Sequence, residues 1–465
     1  MRGMLTMEAL GAEVEADRID TVLVCFPDMF GRLVGKRFHA RYFLEEGYEA
    51  THACDYLLAD DIEMEPVPGY RAASWEKGYG DFTLRPDLST LRCVPWLEGT
   101  VLVLCDVLEH GREAGRPGGE GEERPVPHSP RAILQHQIER LAGAGLSARL
   151  ASELEFYIFD ETHEEIAERG YRAPRTAGRY IEDYHIFQTT KEEPLLRAMR
   201  NGLEGGGVPV ESSKGEWGPG QAELNIRHAP ALAMADRHVI MKNALKEIAH
   251  QHGRAVTFMA KWNDAFAGSS CHVHLSLTNP DGASASFEPD APYGMSAALS
   301  HFIAGQLAHA RELVLFLAPN VNSYKRFQAG TFAPTRCVWS LDNRTAGFRL
   351  CGAGTPAVRS ECRIGGADLN PYLAYAGLIA AGLDGIERRL ELGPPLAGDA
   401  YARESLPEIP PTLREAIVAL DGSATLRRAL GDAVVEHYLH AARWEHSEFD
   451  RQVTDWELRR GFERG

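Results

Sequence analysis

Pairs of glutamates two residues apart raise the first chemical question in this sequence. In SELEFYIF, residues 152–159, Leu154, Phe156 and Ile158 alternate with Glu153, Glu155 and Tyr157, the period-two pattern of a strand with one apolar face. Side chains at i and i+2 leave a strand on the same side, so the two carboxylates stand roughly 7 Å apart at their Cα atoms. One such pair would ordinarily mark a solvated face, but here the arrangement recurs. SSCHVHLSL sets His272, His274 and Ser276 against Val273, Leu275 and Leu277, SECRIGG relates Glu361 to Arg363 in the same way, and GEWGPGQAELNI carries Glu216 and Glu223 around a Gly-Pro-Gly turn. Five glutamates with one or two histidines form a hard, oxygen-rich donor set, suited to Mg²⁺ or Mn²⁺ rather than structural zinc. Metal ions beside the carboxylates would let them share an inward face, where unpaired charges are costly.

A second set is cationic. NSYKRFQAGTFAPT supplies Lys325 and Arg326, and LDNRTAGFRLCGAGTPAVRSECR supplies Arg344, Arg349, Arg359 and Arg363. Guanidinium groups grip phosphate and carboxylate bidentately and stabilise charge in phosphoryl transfer. Arginines beside metal-binding carboxylates point to ATP chemistry on an acidic substrate. The HVH segment alone would also fit a metallohydrolase barrel, but it comes late in the chain, after the glutamate-rich segments.

The elements that must position these groups read as α+β. Gly, Glu, Arg and Pro replace any hydrophobic period in HGREAGRPGGEGEERPVPHSP, which predicts a linker over 111–128 between a small mixed domain at 15–110 and a catalytic domain at 129–465. Ser129 and Pro130 suit a helix N-cap and first turn, and further helices are expected over 231–252, 295–318 and 371–391. A chain of 465 residues exceeds one ordinary core. Its 44% hydrophobic and 25% charged residues suit a soluble globular protein, and the net charge of −17 argues against nucleic acid or an anionic membrane as partner. Eight scattered cysteines without CxxC, and an N-terminal segment lacking a signal-peptide core, lead us to expect a reducing, cytoplasmic location.

In order and spacing, FPDMFGRLVGKR, GDFTLRPDLSTLRCVPW, ELEF, GPGQAELNI, GSSCHVHLSL, NSYKRF, NRTAGFR, SECRIGG and NPYLAYAGLIAAGLDG resemble the glutamine synthetase family across nearly the whole chain. The resemblance implies a small N-terminal β-grasp-like domain, a large catalytic domain with an antiparallel sheet and surrounding helices, and a homo-oligomer, a dodecamer of two hexameric rings. By matched motif, Glu155, Glu216 and Glu223 would hold one ion and Glu153, His272 and Glu361 another, giving two or more Mg²⁺ or Mn²⁺ per subunit. His274, Ser276, Arg344, Arg349 and Arg359 fall at ATP positions, and Gly268, Arg326 and Arg363 at glutamate positions. Arg344, Arg349 and Arg363 would take part in catalysis.

Departures from the family pattern concern the nucleophile. The flap glutamate that serves ammonium is replaced by Phe332, the N-terminal FDGSS by THACDYLLADDIE, and the asparagine before Gly268 by Ala267. The family's adenylylation segment is not recognisable. An aromatic wall suits an alkylamine better than ammonium, so the resemblance implies a ligase that joins ATP-activated L-glutamate to a small primary amine such as ethanolamine. An authentic, ammonia-using glutamine synthetase and a γ-glutamylpolyamine synthetase are the alternatives.

Overall fold

A computed structural model describes residues 2–110 and 123–465. Most of the expected linker over 111–128 lies outside the described residues. Of its remainder, Glu123–Pro125 forms a short strand.

The chain builds two sheets. The first has six strands, in the order Leu33–His39, Thr21–Pro27, Thr100–His110, Asp81–Cys93 and Thr51–Cys54, with Glu123–Pro125 also on Thr100–His110. The pairing of Thr21–Pro27 with Thr100–His110 is parallel and the rest antiparallel. The second has nine strands, in the order Trp339–Leu341, Phe348–Cys351, Arg359–Cys362, Cys271–Thr278, Ser147–Phe159, Gln221–Ile226 and Val210–Gly215, with Ala229–Pro230 and Ala255–Thr257 added to Ser147–Phe159. It is antiparallel except where Trp339–Leu341 joins Phe348–Cys351. The sheets use separate stretches of chain, which supports the two-domain division as a proposal, although one buried apolar cluster runs through both.

Helices cover the larger sheet. Pro371–Arg388 is buried on every side from Pro371 to Gly385, in keeping with a sequence that is apolar all round up to Asp384. Asn370 caps it by accepting from the Tyr372 N–H at 3.1 Å, and the same side chain donates to the Met29 carbonyl at 3.0 Å. The FPDMFGR turn docks there. Asp28 accepts the N–H groups of Phe30 and Arg32 and pairs with the Arg32 guanidinium at 2.6 Å. The helix expected over 295–318 is two helices, Ala297–Ala308 and Ala310–Leu317. They meet at His309, whose ring is fixed between Glu312 at 3.0 Å and Asp384 at 2.9 Å. A long-range tie of this kind leaves no mark in a local apolar period.

Loops around the small sheet meet the helix Asp432–Asp450 through tilted aromatic rings. His437 lies 4.4 Å from Tyr70 and 4.2 Å from His128 between ring centroids, and donates to the Leu58 carbonyl at 2.7 Å. Burial pushes His128 down to about 4, and burial followed by the His128 charge pushes His437 down as well. The folded state therefore binds fewer protons than the unfolded one below about pH 6.5, so this stability is complete above that pH and is lost as pH falls toward 4. His128 Nε2 has no hydrogen-bond partner, which makes His128→Phe a clean test. We expect the variant to gain about 2 kcal/mol over the wild type at pH 5, read by urea unfolding, with the advantage narrowing by pH 7.5. Equal pH profiles for both proteins would refute the linkage.

Candidate active site

The registers of the larger sheet assemble the site. Glu155 lies opposite Glu223 and Glu153 opposite His272, while His274 and Arg349 both face Glu361 from the strands on either side. Residues directly opposite on neighbouring strands sit about 5 Å apart at Cβ. Four strands thus deliver what the period-two pattern predicted on each.

Ligand atoms of Glu155, Glu216 and Glu223 all lie within 4.8 Å of one another. Glu155 is held at both oxygens, accepting from the Ser270 N–H and hydroxyl at 2.7 Å each and from Gln221 Nε2 at 3.3 Å. Burial, then the Glu216 charge, raises Glu155 to about 7, and burial with Glu216 and Glu155 raises Glu223 to about 8. Lys214 pairs with Glu216, yet three carboxylates share this single ammonium. The deficit, together with an all-oxygen donor set, fits a hard divalent cation.

Glu153, His272 and Glu361 form a second group within the same limit. His272 Nδ1 is 3.1 Å from Glu153 and 3.5 Å from Glu361, and His274 Nε2 is 2.9 Å from Glu153. Burial would raise the Glu153 carboxyl, but hydrogen bonds from His272 and His274 outweigh it and hold the group well below the carboxylate range. Glu361 sits at about 2, where the charges of His272, Arg363 and neighbouring cations exceed the cost of burial. Burial and the Arg363 charge bring His272 down to about 4, which leaves a neutral imidazole able to ligate a metal. His274, Cys351 and Glu361 form a third such grouping.

Arginines cover the far side. Arg349 donates to Glu361 at 2.9 Å and Arg363 at 2.5 Å, and Arg359 reaches His274 Nδ1 at 3.1 Å. Ser276, His274 and Arg359 share a cavity of about 380 Å³ with Arg149 and Glu153, on the side where the sequence motifs expect nucleotide. Two expected residues behave differently. Arg344 is exposed, and only its carbonyl, accepting from Arg363 Nε at 3.3 Å, joins the cluster. Arg326 is buried, with its guanidinium turned onto the carbonyls of Ile364 and Gly365. Gly268 lies against it, and a Cβ there would come within 2.5 Å of Arg326 Cγ. Phe332 stands half exposed on a cavity of about 790 Å³ that Trp217, the neighbour of Glu216 in the chain, also lines.

Sequence reasoning missed Gln221, Ser270 and Cys351. Gln221 precedes Glu223 by two, so the same strand period would have found it. Ser270 lies just before its strand, and Cys351 Sγ reaches Glu361 at 3.1 Å across the sheet.

Residues 127–461 match the family described as glutamine synthetase, catalytic domain. The chain is 49% identical to the gamma-glutamylethanolamide synthetase of Streptomyces coelicolor, over 99% of this chain and 96% of the relative. It is 34% identical to the glutamate–isopropylamine ligase of a Pseudomonas species, over 96% of each. A solved structure of GmaS in complex with ADP superposes with a TM-score of 0.83 at 26% identity, over 97% of this chain and 99% of that one.

We expect Glu155→Gln and Glu223→Gln each to weaken Mn²⁺ binding by at least about 100-fold, since each removes a charged oxygen from the ion-binding group. Gln221→Leu, which only loosens Glu155, should cost about 10–100-fold. Titration calorimetry checks both, and wild-type affinity in either glutamate variant would show that this cluster holds no metal.

Proposed function

The chain belongs to the glutamine synthetase family, and from that premise we propose that it is an ATP-dependent ligase joining the γ-carboxylate of L-glutamate to a small primary amine. The observation that carries this reading is the pairing of two carboxylate-rich groups with Arg349, Arg359 and Arg363 on one sheet face, next to a Phe332-lined cavity with no flap glutamate. The γ-carboxylate attacks the terminal phosphorus of ATP and ADP departs. The amine nitrogen then attacks the γ-carbonyl carbon, phosphate leaves, and the nitrogen loses a proton.

Glu155, Glu216 and Glu223 would hold one Mg²⁺ or Mn²⁺ and Glu153, His272 and Glu361 a second. When bound, the ions supply charge neutralisation between two anionic reactants. Arg349 and Arg363 are proposed to stabilise the transferring phosphoryl group, with Arg344 reaching it from its exposed loop, and His274, Ser276 and Arg359 to contact ATP. Arg326 and Gly268 are assigned to glutamate. In that role Arg326 would turn from the carbonyls it now holds.

Phe332 offers no base for ammonium but a surface for methylenes, each worth about 0.8 kcal/mol when buried. Two or three therefore favour an alkylamine by about 2 kcal/mol, or about thirtyfold. Glutamate-dependent phosphate release at equal free-base concentration should be much faster with ethanolamine or a short alkylamine than with ammonia, and Phe332→Glu should shift the ratio toward ammonia. Equal or faster turnover with ammonia in the wild type would instead indicate an ordinary glutamine synthetase.

The proposal includes a dodecamer of two hexameric rings with sites shared between neighbours, and a cytoplasmic location. No helix among the described residues is long and apolar enough to cross a membrane. Light scattering should give a mass many times the 51.3 kDa of one chain, and a fully active monomer would refute the shared site.

A further inference from the structure

The cavity that Phe332 lines has a second aromatic wall. Trp217 and Pro219 stand on it with Phe266 and Ala267. Its position relative to the carboxylates follows from the chain, because Trp217 succeeds Glu216 and Ala267 precedes Gly268. Gln221 Nε2 bridges Glu155 and the Gly268 carbonyl, at 3.3 and 3.0 Å. A nitrogen directed at the reacting carbon beside that cluster therefore leaves its carbon skeleton among rings.

Trp217 and Phe332 meet edge to face, with centroids 6.1 Å apart and planes at 70°, and they are 49% and 50% exposed. Half-exposed aromatic rings facing a common cavity contribute little to the core and are available to a ligand. Both are held in place. Phe332 has φ +60°, a conformation that bulky residues rarely adopt, and its segment is pinned by Thr331 donating to the Gln328 carbonyl at 2.7 Å and by Tyr401 donating to the Ala333 carbonyl at 2.9 Å. Behind Trp217, the Gly218 N–H donates to Gln221 Oε1 at 2.9 Å, and a Cβ at Gly218 would strike the Tyr157 hydroxyl. The glutamine that orients Glu155 thus also fixes the backbone of Trp217.

Charge in the cavity is balanced. Lys261 and Asp264 both line it, and the Lys261 ammonium is turned to the Phe266 carbonyl. The lining therefore carries one ammonium and one carboxylate with no net negative charge, and desolvating a second ammonium against the rings would be costly.

Resting on the ligase reading above, we propose that Trp217 is a specificity-determining residue whose ring, with Phe332, selects monoamines bearing a short carbon skeleton over both ammonia and diamines. The test measures kcat/KM for glutamate-dependent phosphate release by the full-length enzyme with ethylamine, ammonia and putrescine at equal free-base concentration. Ethylamine should lead in the wild type. Trp217→Ala should lower the ethylamine-to-ammonia ratio about tenfold, mainly through the KM for ethylamine, while Trp217→Phe keeps most of it. Because the rings touch, the loss in a Trp217→Ala/Phe332→Ala double variant should fall short of the product of the single losses. Thermal melting monitors folding, and Trp217→Leu reads the same ratio should the alanine variant melt early. A ratio unmoved in well-folded Trp217 variants, or putrescine as the best wild-type substrate, overturns the proposal alone. Absence of phosphate release with every amine overturns the ligase reading and this proposal with it.

Discussion

Glu155 and Glu223 face each other across neighbouring strands in a buried sheet, and the rest of the site follows from that like-charge contact. Directly opposed like charges destabilise a sheet even in water, and burial adds to the cost. The structure does not avoid the conflict but fixes it. Ser270 and Gln221 hold the Glu155 oxygens, and the register cannot slip by one residue without exchanging the apolar and acidic faces of the strand. Two carboxyls raised to about 7 and 8 are the electrostatic signature of a place built for a cation.

Across the same sheet the balance reverses. Glu361 receives Arg349 and Arg363 and lies near His272, so it stays ionised although fully buried. The face therefore runs from excess negative charge at Glu155, Glu216 and Glu223 to a surplus of guanidinium at Arg349, Arg359 and Arg363. A phosphoryl group moving between two anions needs cations on both flanks, and such a gradient provides one side from the chain itself. Rigidity comes from behind, where the all-round-buried helix Pro371–Arg388 backs the sheet. Arg131, on the helix Pro130–Gly143, also ties the small sheet to the helix Ala231–Gln251, pairing with Asp87 at 2.6 Å on the one and Asp236 at 3.3 Å on the other, and with Asp106. Its side chain is only 1% exposed, and three carboxylates compensate the buried charge.

The strands and their chemical faces were legible in the sequence because side-chain direction in a strand has a period of two, and Glu153, Glu155, His272, His274 and Glu361 display it without help from distant contacts. Register was not legible, since which residue faces which depends on turns and on packing elsewhere. The pairing of Glu155 with Glu223, and of both His274 and Arg349 with Glu361, had to come from the structure or from resemblance. The break at His309 was likewise not legible, and the Asp384 that holds its ring lies on another helix. Arg326 shows a different limit. Motif spacing marks it for a ligand, but the direction of a long flexible side chain depends on which acceptors surround it, here the carbonyls of Ile364 and Gly365.

The two halves of the chemistry rest on different kinds of backbone. Groups that would activate glutamate lie mostly on paired strands, where a register change alters every contact at once. The proposed acceptor side would be built from loops: Trp217 in the turn after Val210–Gly215, Ala267 before Cys271–Thr278, and Phe332 in an irregular stretch beyond the short helix Val321–Arg326. Loop residues half exposed to solvent can change with little effect on the core, whereas Glu155 or Glu223 cannot. A scaffold divided in this way can exchange one nucleophile for another while keeping the phosphoryl chemistry intact. On the ligase reading Phe332 in place of an acid suits such an exchange, and its left-handed backbone is flanked by hydrogen bonds from Thr331 to the Gln328 carbonyl and from Tyr401 to the Ala333 carbonyl.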